Sequence, residues 1–322
     1  MNQPSKKQTQ PTMYFIGVTT GKSSIMKIFP AWADILGHAA VRLEGVDLPL
    51  HADAESYRRA VAQIKYDALS LGALVTAHKI NLYEAARDMF DFVDAYGVTC
   101  GEVSSISKAD GRLEGHAKDP ITAGLSLDAI LGPSYFAKTG GHVLCLGAGG
   151  STTAIILHLL NKAAAGDRPE RVVIVNRSPA RIESLRRMVA ELGSGVTFEW
   201  HVHTDPRLND ALMESLPRAS VVINATGMGK DLPGSPVTDA GQFPERGIAW
   251  ELNYRGELQF LYQAKAQEQV RRLRVEDGWT YFIHGWTQVI SQVLHVDVDE
   301  KTFEKLSQCA ADIVTPVESG RL

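Results

Sequence analysis

The sequence predicts an α/β fold in two lobes, and three features carry that expectation. Short apolar runs alternate with helix-compatible stretches from residue 13 onward, the pattern of strands feeding helices. The run Val143-Leu144-Cys145-Leu146 stops at Gly147-Ala148-Gly149-Gly150 and passes into an apolar, helix-compatible stretch, as a buried strand does when it turns tightly into a helix. A second run, Arg171-Val172-Val173-Ile174-Val175, reads as another buried strand and ends in Asn176-Arg177-Ser178. A chain of 322 residues is long for one domain and comfortable for two.

Taken in order, residues 13–18 read as a first strand, 23–36 as a helix, 43–50 as a strand ending at Pro49, and 54–71 as a helix. Residues 72–76 read as a third strand and 82–96 as a helix. Residues 103–107 and 112–116 form a hairpin around Asp110-Gly111, a strong turn dipeptide. A linking helix over 121–131 stops at Gly132-Pro133. Beyond the strand at 143–146 come a helix over 155–165, the strand at 171–175, and a helix that Ser178-Pro179 is suited to start. Later strands are expected at 197–200, 220–224 and 248–252, and the chain from Thr280 onward reads as apolar helix. The domain boundaries that follow are 1–120, completed by C-terminal helices over 279–322, and 121–278. A cleft between two such lobes is where a ligand is expected.

Composition excludes more than it suggests. Lys and Arg number 33 against 37 Asp and Glu, a formal charge of −4, so neither nucleic acid nor an acidic partner is expected. The basic run Arg271-Arg272-Leu273-Arg274 is soon followed by Glu276 and Asp277 and reads as a solvated helix end. Cys100, Cys145 and Cys309 are widely spaced, without metal-ligand spacing, so no metal is expected. Residues 1–12 are polar, with no apolar core for a signal peptide, and no apolar run is long enough to span a bilayer. The expectation is a cytoplasmic, reduced protein acting on a small molecule, with homodimer formation left open.

The glycine turn supplies the first chemistry. Such a turn brings bare backbone N–H groups and the positive end of a helix to a phosphate, which makes 121–278 a Rossmann-type dinucleotide domain. Gly147, Ala148, Gly149, Gly150 and Ser151 are the expected pyrophosphate cradle. The third fingerprint glycine is Thr152 here, and Ala154 is left to allow close helix–strand packing. The second strand ends without the acidic residue that would bind a ribose 2′-hydroxyl. Asn176, Arg177 and, one helical turn on, Arg181 suit a 2′-phosphate instead, because a guanidinium fork makes charge-assisted hydrogen bonds to it. The cofactor expected is NADP.

Lys79 directly follows the strand in Val75-Thr76-Ala77-His78-Lys79, and Asp119 follows the hairpin in Gly115-His116-Ala117-Lys118-Asp119. A lysine can deliver or remove the proton that accompanies hydride transfer, and a carboxylate beside it can orient the ammonium. Read alone, both residues are ordinary surface charges.

With these motifs together, the chain resembles the shikimate/quinate dehydrogenase family from about Tyr14 to Val293. The family's Val-Thr-(x)-Pro-x-Lys resembles Val75 to Lys79, shortened by one residue. Its Asp-Gly-x-x-x-Gly-x-Asn-Thr-Asp resembles Asp110 to Asp119, its Gly-Ala-Gly-Gly-Ala matches Gly147 to Ser151, and its Asn-Arg-Thr resembles Asn176-Arg177-Ser178. Its Ile-Asn-Ala-Thr is Ile223-Asn224-Ala225-Thr226 unchanged, and its Asp-x-x-Tyr resembles Glu251 to Tyr254. The resemblance implies an NADP-dependent dehydrogenase with Lys79 and Asp119 as the catalytic pair. It further implies Asn224, Ala225, Thr226 and Met228 near the nicotinamide, and Ser23, Thr76, Ser104, Tyr254 and Gln288 as substrate contacts.

The departures fall on the substrate side. The second carboxylate-holding serine of the family is Ile25, the asparagine before Val-Thr is Leu74, the substrate-binding asparagine is Ser104, and the threonine before the catalytic aspartate is Lys118. The late glutamine falls on Gly285, with Gln288 almost a turn later. Each lost partner leaves a buried polar group unpaired at about 1–3 kcal/mol, so a substrate other than shikimate is expected. Other readings are a non-catalytic NADP-binding regulator or sensor on the same fold and a folate- or pterin-linked dehydrogenase. His78, His116 and His284 are read as satisfied or solvated histidines, and Trp279, Tyr281 and Trp286 as core.

Overall fold

Two sheets of six strands form among the residues that the computed structural model describes, 7–162, 164–230 and 232–314. The described chain divides into two compact units, one holding it through Asp119 together with Ile283 onward, the other Pro120–Phe282.

The first sheet is built from β1 (Thr12–Gly17), β2 (Arg42–Asp47), β3 (Ser70–Val75), β4 (Phe92–Val93), β5 (Ser105–Ala109) and β6 (Arg112–His116), in the order β2-β1-β3-β5-β6-β4. β1 pairs parallel with β2 and β3, β5 runs antiparallel to both β3 and β6, and β4 pairs parallel with β6. β3 and β6 therefore run the same way with β5 between them. The carboxyl ends of β3 and β6 and the amino end of β5 share one edge of the sheet. The β5–β6 turn is made by Asp110 and Gly111, both at positive φ (51° and 76°), as a two-residue hairpin of primed type requires.

Tyr14, Ile16, Ala73, Val75 and Ile106 pack with Tyr57, Val61 and Ile64 of the helix Ala54–Tyr66. The helix Ile25–Ile35 is tied to the last helix, Glu300–Ile313, by the Trp32 indole N–H, which donates to the Leu306 carbonyl at 2.8 Å.

The second sheet contains β7 (Val143–Leu146), β8 (Arg171–Asn176), β9 (Thr197–Val202), β10 (Val221–Asn224), β11 (Ile248–Glu251) and β12 (Arg274–Glu276). All pairings are parallel and the order is β12-β11-β10-β7-β8-β9, that is 6-5-4-1-2-3, the doubly wound order of a Rossmann fold. Its four central strands, β7, β8, β10 and β11, are buried on both faces. Val143, Cys145, Val172, Ile174, Val221 and Ile223 enter one core, while Leu144, Leu146, Val173, Val175 and Val222 enter the other. This explains why these strands read as continuous apolar runs without alternation.

Three element readings are corrected. The helix expected over 82–96 is the helix Lys79–Ala86, one 3₁₀ turn, strand β4 and the helix Ala95–Cys100, which Asp94 caps by accepting from the Gly97 amide at 2.7 Å. The helix expected over 54–71 stops at Tyr66, where Asp67 turns extended and its carboxylate accepts from the Leu69 amide and the Ser70 hydroxyl. The basic run is not one helix end: Arg272 leaves the helix Glu268–Arg271 in a left-handed conformation and Arg274 begins edge strand β12. No helix among the described residues is long and apolar enough to cross a membrane.

Candidate functional site

Topology collects the first group of side chains. Lys79 opens the helix that follows β3, and Asp119 opens the helix Asp119–Leu131 that follows β6. Because the two strands end at the same edge, the two side chains meet, and Lys79 Nζ donates to Asp119 Oδ2. The pair is mostly shielded, with side-chain exposures of 21% and 14%. Across the same edge the Val75 amide donates to the Ser104 carbonyl (2.9 Å) and the Ser104 amide to the His116 carbonyl (3.0 Å). Ser104 itself is buried, and its hydroxyl accepts from the Lys118 amide at 2.8 Å, which binds the turn before Asp119 to the start of β5. Thr76, half-buried, donates from its amide to the Ile16 carbonyl at 3.0 Å. Ser23, buried, closes the single turn Thr20–Lys22.

The second group surrounds a cavity of about 450 Å³ at the carboxyl edge of the parallel sheet, lined in part by Gly147, Ala148, Gly149, Asn176, Arg177, Arg181, Ala225, Thr226 and Met228. Gly147 has φ +117°, and a Cβ there would lie 2.6 Å from the Ala225 carbonyl oxygen, so only glycine lets β7 turn this close to the end of β10. Gly149 caps the helix Gly150–Asn161, and Thr152, fully buried in the third-glycine position, donates its hydroxyl to the Gly147 carbonyl at 2.9 Å. Asn176 Oδ1 accepts from the Arg177 amide at 2.8 Å, and Ser178 caps the helix Pro179–Leu192 by accepting from the Arg181 amide. Both arginines are exposed. Two further wall residues, His203 and Asn209, carry buried atoms without a hydrogen-bond partner: both His203 ring nitrogens and Asn209 Oδ1. A glycine-only turn at a helix N-terminus, two exposed guanidiniums and unpartnered polar atoms fit a phosphorylated dinucleotide.

No family model matches the chain. It is 32% identical over 200 residues to shikimate dehydrogenase (NADP(+)) of Symbiobacterium thermophilum, a match covering 61% of this chain and 62% of that enzyme. Among solved structures it resembles the shikimate 5-dehydrogenase of Thermus thermophilus in complex with NADP(H) and shikimate, with a TM-score of 0.66, 23% identity, and 93% of this chain and 99% of that one covered. The chain spans less than two thirds of the length of that relative, and its fold is the one seen in shikimate dehydrogenase structures. The fold is shared as well by a 5-ketofructose reductase of Gluconobacter, with a TM-score of 0.67, 20% identity, and 94% and 99% of the two chains covered.

Within this shikimate dehydrogenase-like fold, several expected contacts have other occupations. Gly150 and Ser151 lie in the first turn of the helix, outside the cavity lining. Asn224 is fully buried. Its Nδ2 donates to Glu251 Oε2 (2.7 Å), and its Oδ1 accepts from the Thr226 amide and hydroxyl (3.1 and 2.7 Å), so it holds the loop that forms the wall. Tyr254 packs on Phe282 and Trp279, with ring centroids at 4.3 and 6.2 Å. Gln288 is half-buried on the helix Trp279–Leu294, and the glutamine that this helix supplies to Lys118 is Gln292, whose Oε1 accepts from Nζ at 2.7 Å. His78 is a satisfied core residue, bonded to the Tyr57 hydroxyl and the Leu48 carbonyl. His284 stacks on Phe303, and burial pushes its pKa down to about 4, so its imidazole stays neutral near pH 7.

Glu251, at the end of β11, is fully buried and accepts from Asn224, from the Asn253 amide and from Asn253 Nδ2. Burial outweighs those donors and raises its pKa from 4.5 to about 8. The folded protein then keeps a proton that the unfolded chain has lost. This contribution to stability is complete below about 4.5 and disappears as pH rises through about 8. The expected result is a thermal midpoint that falls between pH 5 and 8 (roughly the window just given) more steeply in the native protein than in Glu251→Gln. The variant begins less stable by about 1–3 kcal/mol, because its amide nitrogen meets an N–H donor. Parallel melting curves across that range would show Glu251 to be indifferent.

Proposed function

We propose that the chain is an NADP-dependent oxidoreductase of the shikimate dehydrogenase type, carrying out reversible hydride transfer between NADP(H) and a small cyclic hydroxy/oxo compound. The observation that carries this reading is the shielded Lys79–Asp119 ion pair in a chain that also builds a glycine-turn cavity with two exposed arginines. A sensor needs the cavity but has no use for an amine held in place by a carboxylate.

When bound, NADP(H) supplies or accepts the hydride. Lys79 gives a proton to the carbonyl oxygen in reduction and takes it from the hydroxyl in oxidation, while Asp119 holds the ammonium in place. The amides of the Gly147–Gly149 turn and the helix start at Gly150 and Ser151 receive the pyrophosphate. Arg177 and Arg181 receive the 2′-phosphate, and Thr226 and Met228 border the nicotinamide. Ile25, Leu74, Ser104 and Lys118 replace family substrate contacts, and Ser104 spends its hydroxyl on the backbone. This supports a variant substrate, as does the presence of the same fold in a 5-ketofructose reductase.

The test is NADPH oxidation with 3-dehydroshikimate and with uncharged cyclic or keto-sugar carbonyls. Turnover of one of the latter with poor shikimate efficiency is expected. Near diffusion-limited turnover of shikimate would overturn the variant substrate, and NADP binding without turnover of any carbonyl would favour the sensor. For the cofactor, Arg177→Ala is expected to weaken NADP binding by about 1.5–3 kcal/mol, the range for hydrogen bonds to a charged group, and to leave NAD nearly untouched in calorimetry. Equal losses for both would mean that the arginine reads no 2′-phosphate.

A further inference from the structure

Glu102 lies at the edge where β3, β5 and β6 place Lys79 and Asp119, just before the start of β5. The helix Ala95–Cys100 ends in Gly101 at φ +63°, the Glu102 amide donates to the Gly97 carbonyl at 3.2 Å, and the next amide, Val103, donates to the carbonyl of Lys79 at 3.4 Å. The glutamate is thus fixed by backbone bonds one residue from a contact with Lys79 itself. Only 4% of it is exposed.

We propose that Glu102 is a positioning residue: its carboxylate, buried beside the Lys79–Asp119 pair, holds Lys79 in place and in the ammonium form. The inference deepens the oxidoreductase reading above and rests on it for its meaning in the reaction. In that reaction the carbonyl carbon gains the hydride of NADPH and the carbonyl oxygen gains the proton of Lys79. NADP⁺ and an alcohol result, and Lys79 is left as a neutral amine to be reprotonated from solvent.

The charge count around Glu102 supports the assignment. Lys79 favours its ionised form, Asp119 opposes it, and burial opposes it more strongly than either, so its pKa stands at about 7. The neighbouring Cys100 thiol is pushed up to about 12 by burial, helped by Glu102, Asp119 and Asp94, and stays protonated. One cation is therefore shared by two carboxylates once Glu102 ionises. Above neutrality the trio carries a net negative charge, and loss of the Lys79 proton becomes harder.

The experiment follows Lys79 directly. The full-length protein without cofactor is treated with trace acetic anhydride across pH 6–11 (roughly the span that brackets an amine titration). Acetylation of the Lys79 peptide is read by mass spectrometry, with exposed Lys301 as internal reference. Glu102→Gln is expected to move the Lys79 midpoint down by about one pH unit, about tenfold more reactive amine on the rising limb, while Glu102→Asp stays near the native curve. If Glu102→Gln does not fold, Glu102→Ser takes its place. Coincident midpoints in the native and uncharged variants would overturn the proposal. Because the readout needs neither cofactor nor substrate, an absence of turnover would count against the proposed function and leave this result standing.

Discussion

Replacing Lys79 with methionine is expected to lower turnover by about 10²- to 10⁴-fold, the usual contribution of a positioned proton donor, while NADP affinity stays within about twofold. The separation follows from where the residues lie in the chain. Lys79 sits on the helix after β3 in the first sheet, whereas every residue lining the glycine-turn cavity belongs to the Pro120–Phe282 unit. Methionine keeps the unbranched chain as far as Cε and removes the donor with its charge. It also strands the Asp119 carboxylate, whose side chain is 14% exposed. Asp119 is in the first turn of its helix, where the helix dipole favours a negative charge, so the fold should survive. Steady-state kinetics beside calorimetric titration of NADP, with a melting curve for each protein, checks this. Parallel losses of turnover and affinity would make the ion pair a structural element. Asp119→Asn is expected to follow Lys79→Met in kind, since it removes the carboxylate to which Lys79 donates.

What could be read from the sequence and what could not divide along physical lines. β7, β8 and β10 were legible because burial on both faces makes them unbroken apolar runs, and the hairpin was legible because Asp110-Gly111 has the turn chemistry it needs. β4 and β12 were not. They are two and three residues long and lie at sheet edges, and Phe92 is 45% exposed, so they are too short to show a period or a buried apolar run. The glycine turn and Asn176-Arg177-Ser178 are local and were visible. Lys79 and Asp119 were visible as residue types, but their meeting depends on β3 and β6 running in the same direction around β5. Glu102, Gln292, His203 and Asn209 were missed for the same reason. Their neighbours are set by strand order, and no spacing along the chain reports it. The one signal for Glu102 was an acid placed between Gly101 and the apolar Val103, ahead of the hairpin.

Gly147→Val is expected to be the most damaging single change to the dinucleotide unit, costing several kcal/mol and lowering its unfolding midpoint by about 6–12 °C. Two costs act together at this residue. Its φ of +117° is a conformation that valine avoids, worth about 1–3 kcal/mol. The added Cβ would also lie 2.6 Å from the Ala225 carbonyl oxygen and 2.8 Å from its carbon, and neither belongs to a flexible side chain that can swing away. Relief requires the ends of β7 and β10 to part. That edge is tightly laced, since the Gly147 amide donates to the Val175 carbonyl and the Ala225 amide to the Leu146 carbonyl, both at 2.8 Å. These strands open the two halves of the doubly wound sheet, so the clash falls at its topological switch point, where such folds bind their ligands. Cofactor affinity should therefore fall further than stability. At a temperature where the variant is still folded by circular dichroism, calorimetry should detect no NADP binding. A folded Gly147→Val protein that binds NADP like the native chain would mean that the glycine turn is a strand–helix connection and the dinucleotide lies elsewhere.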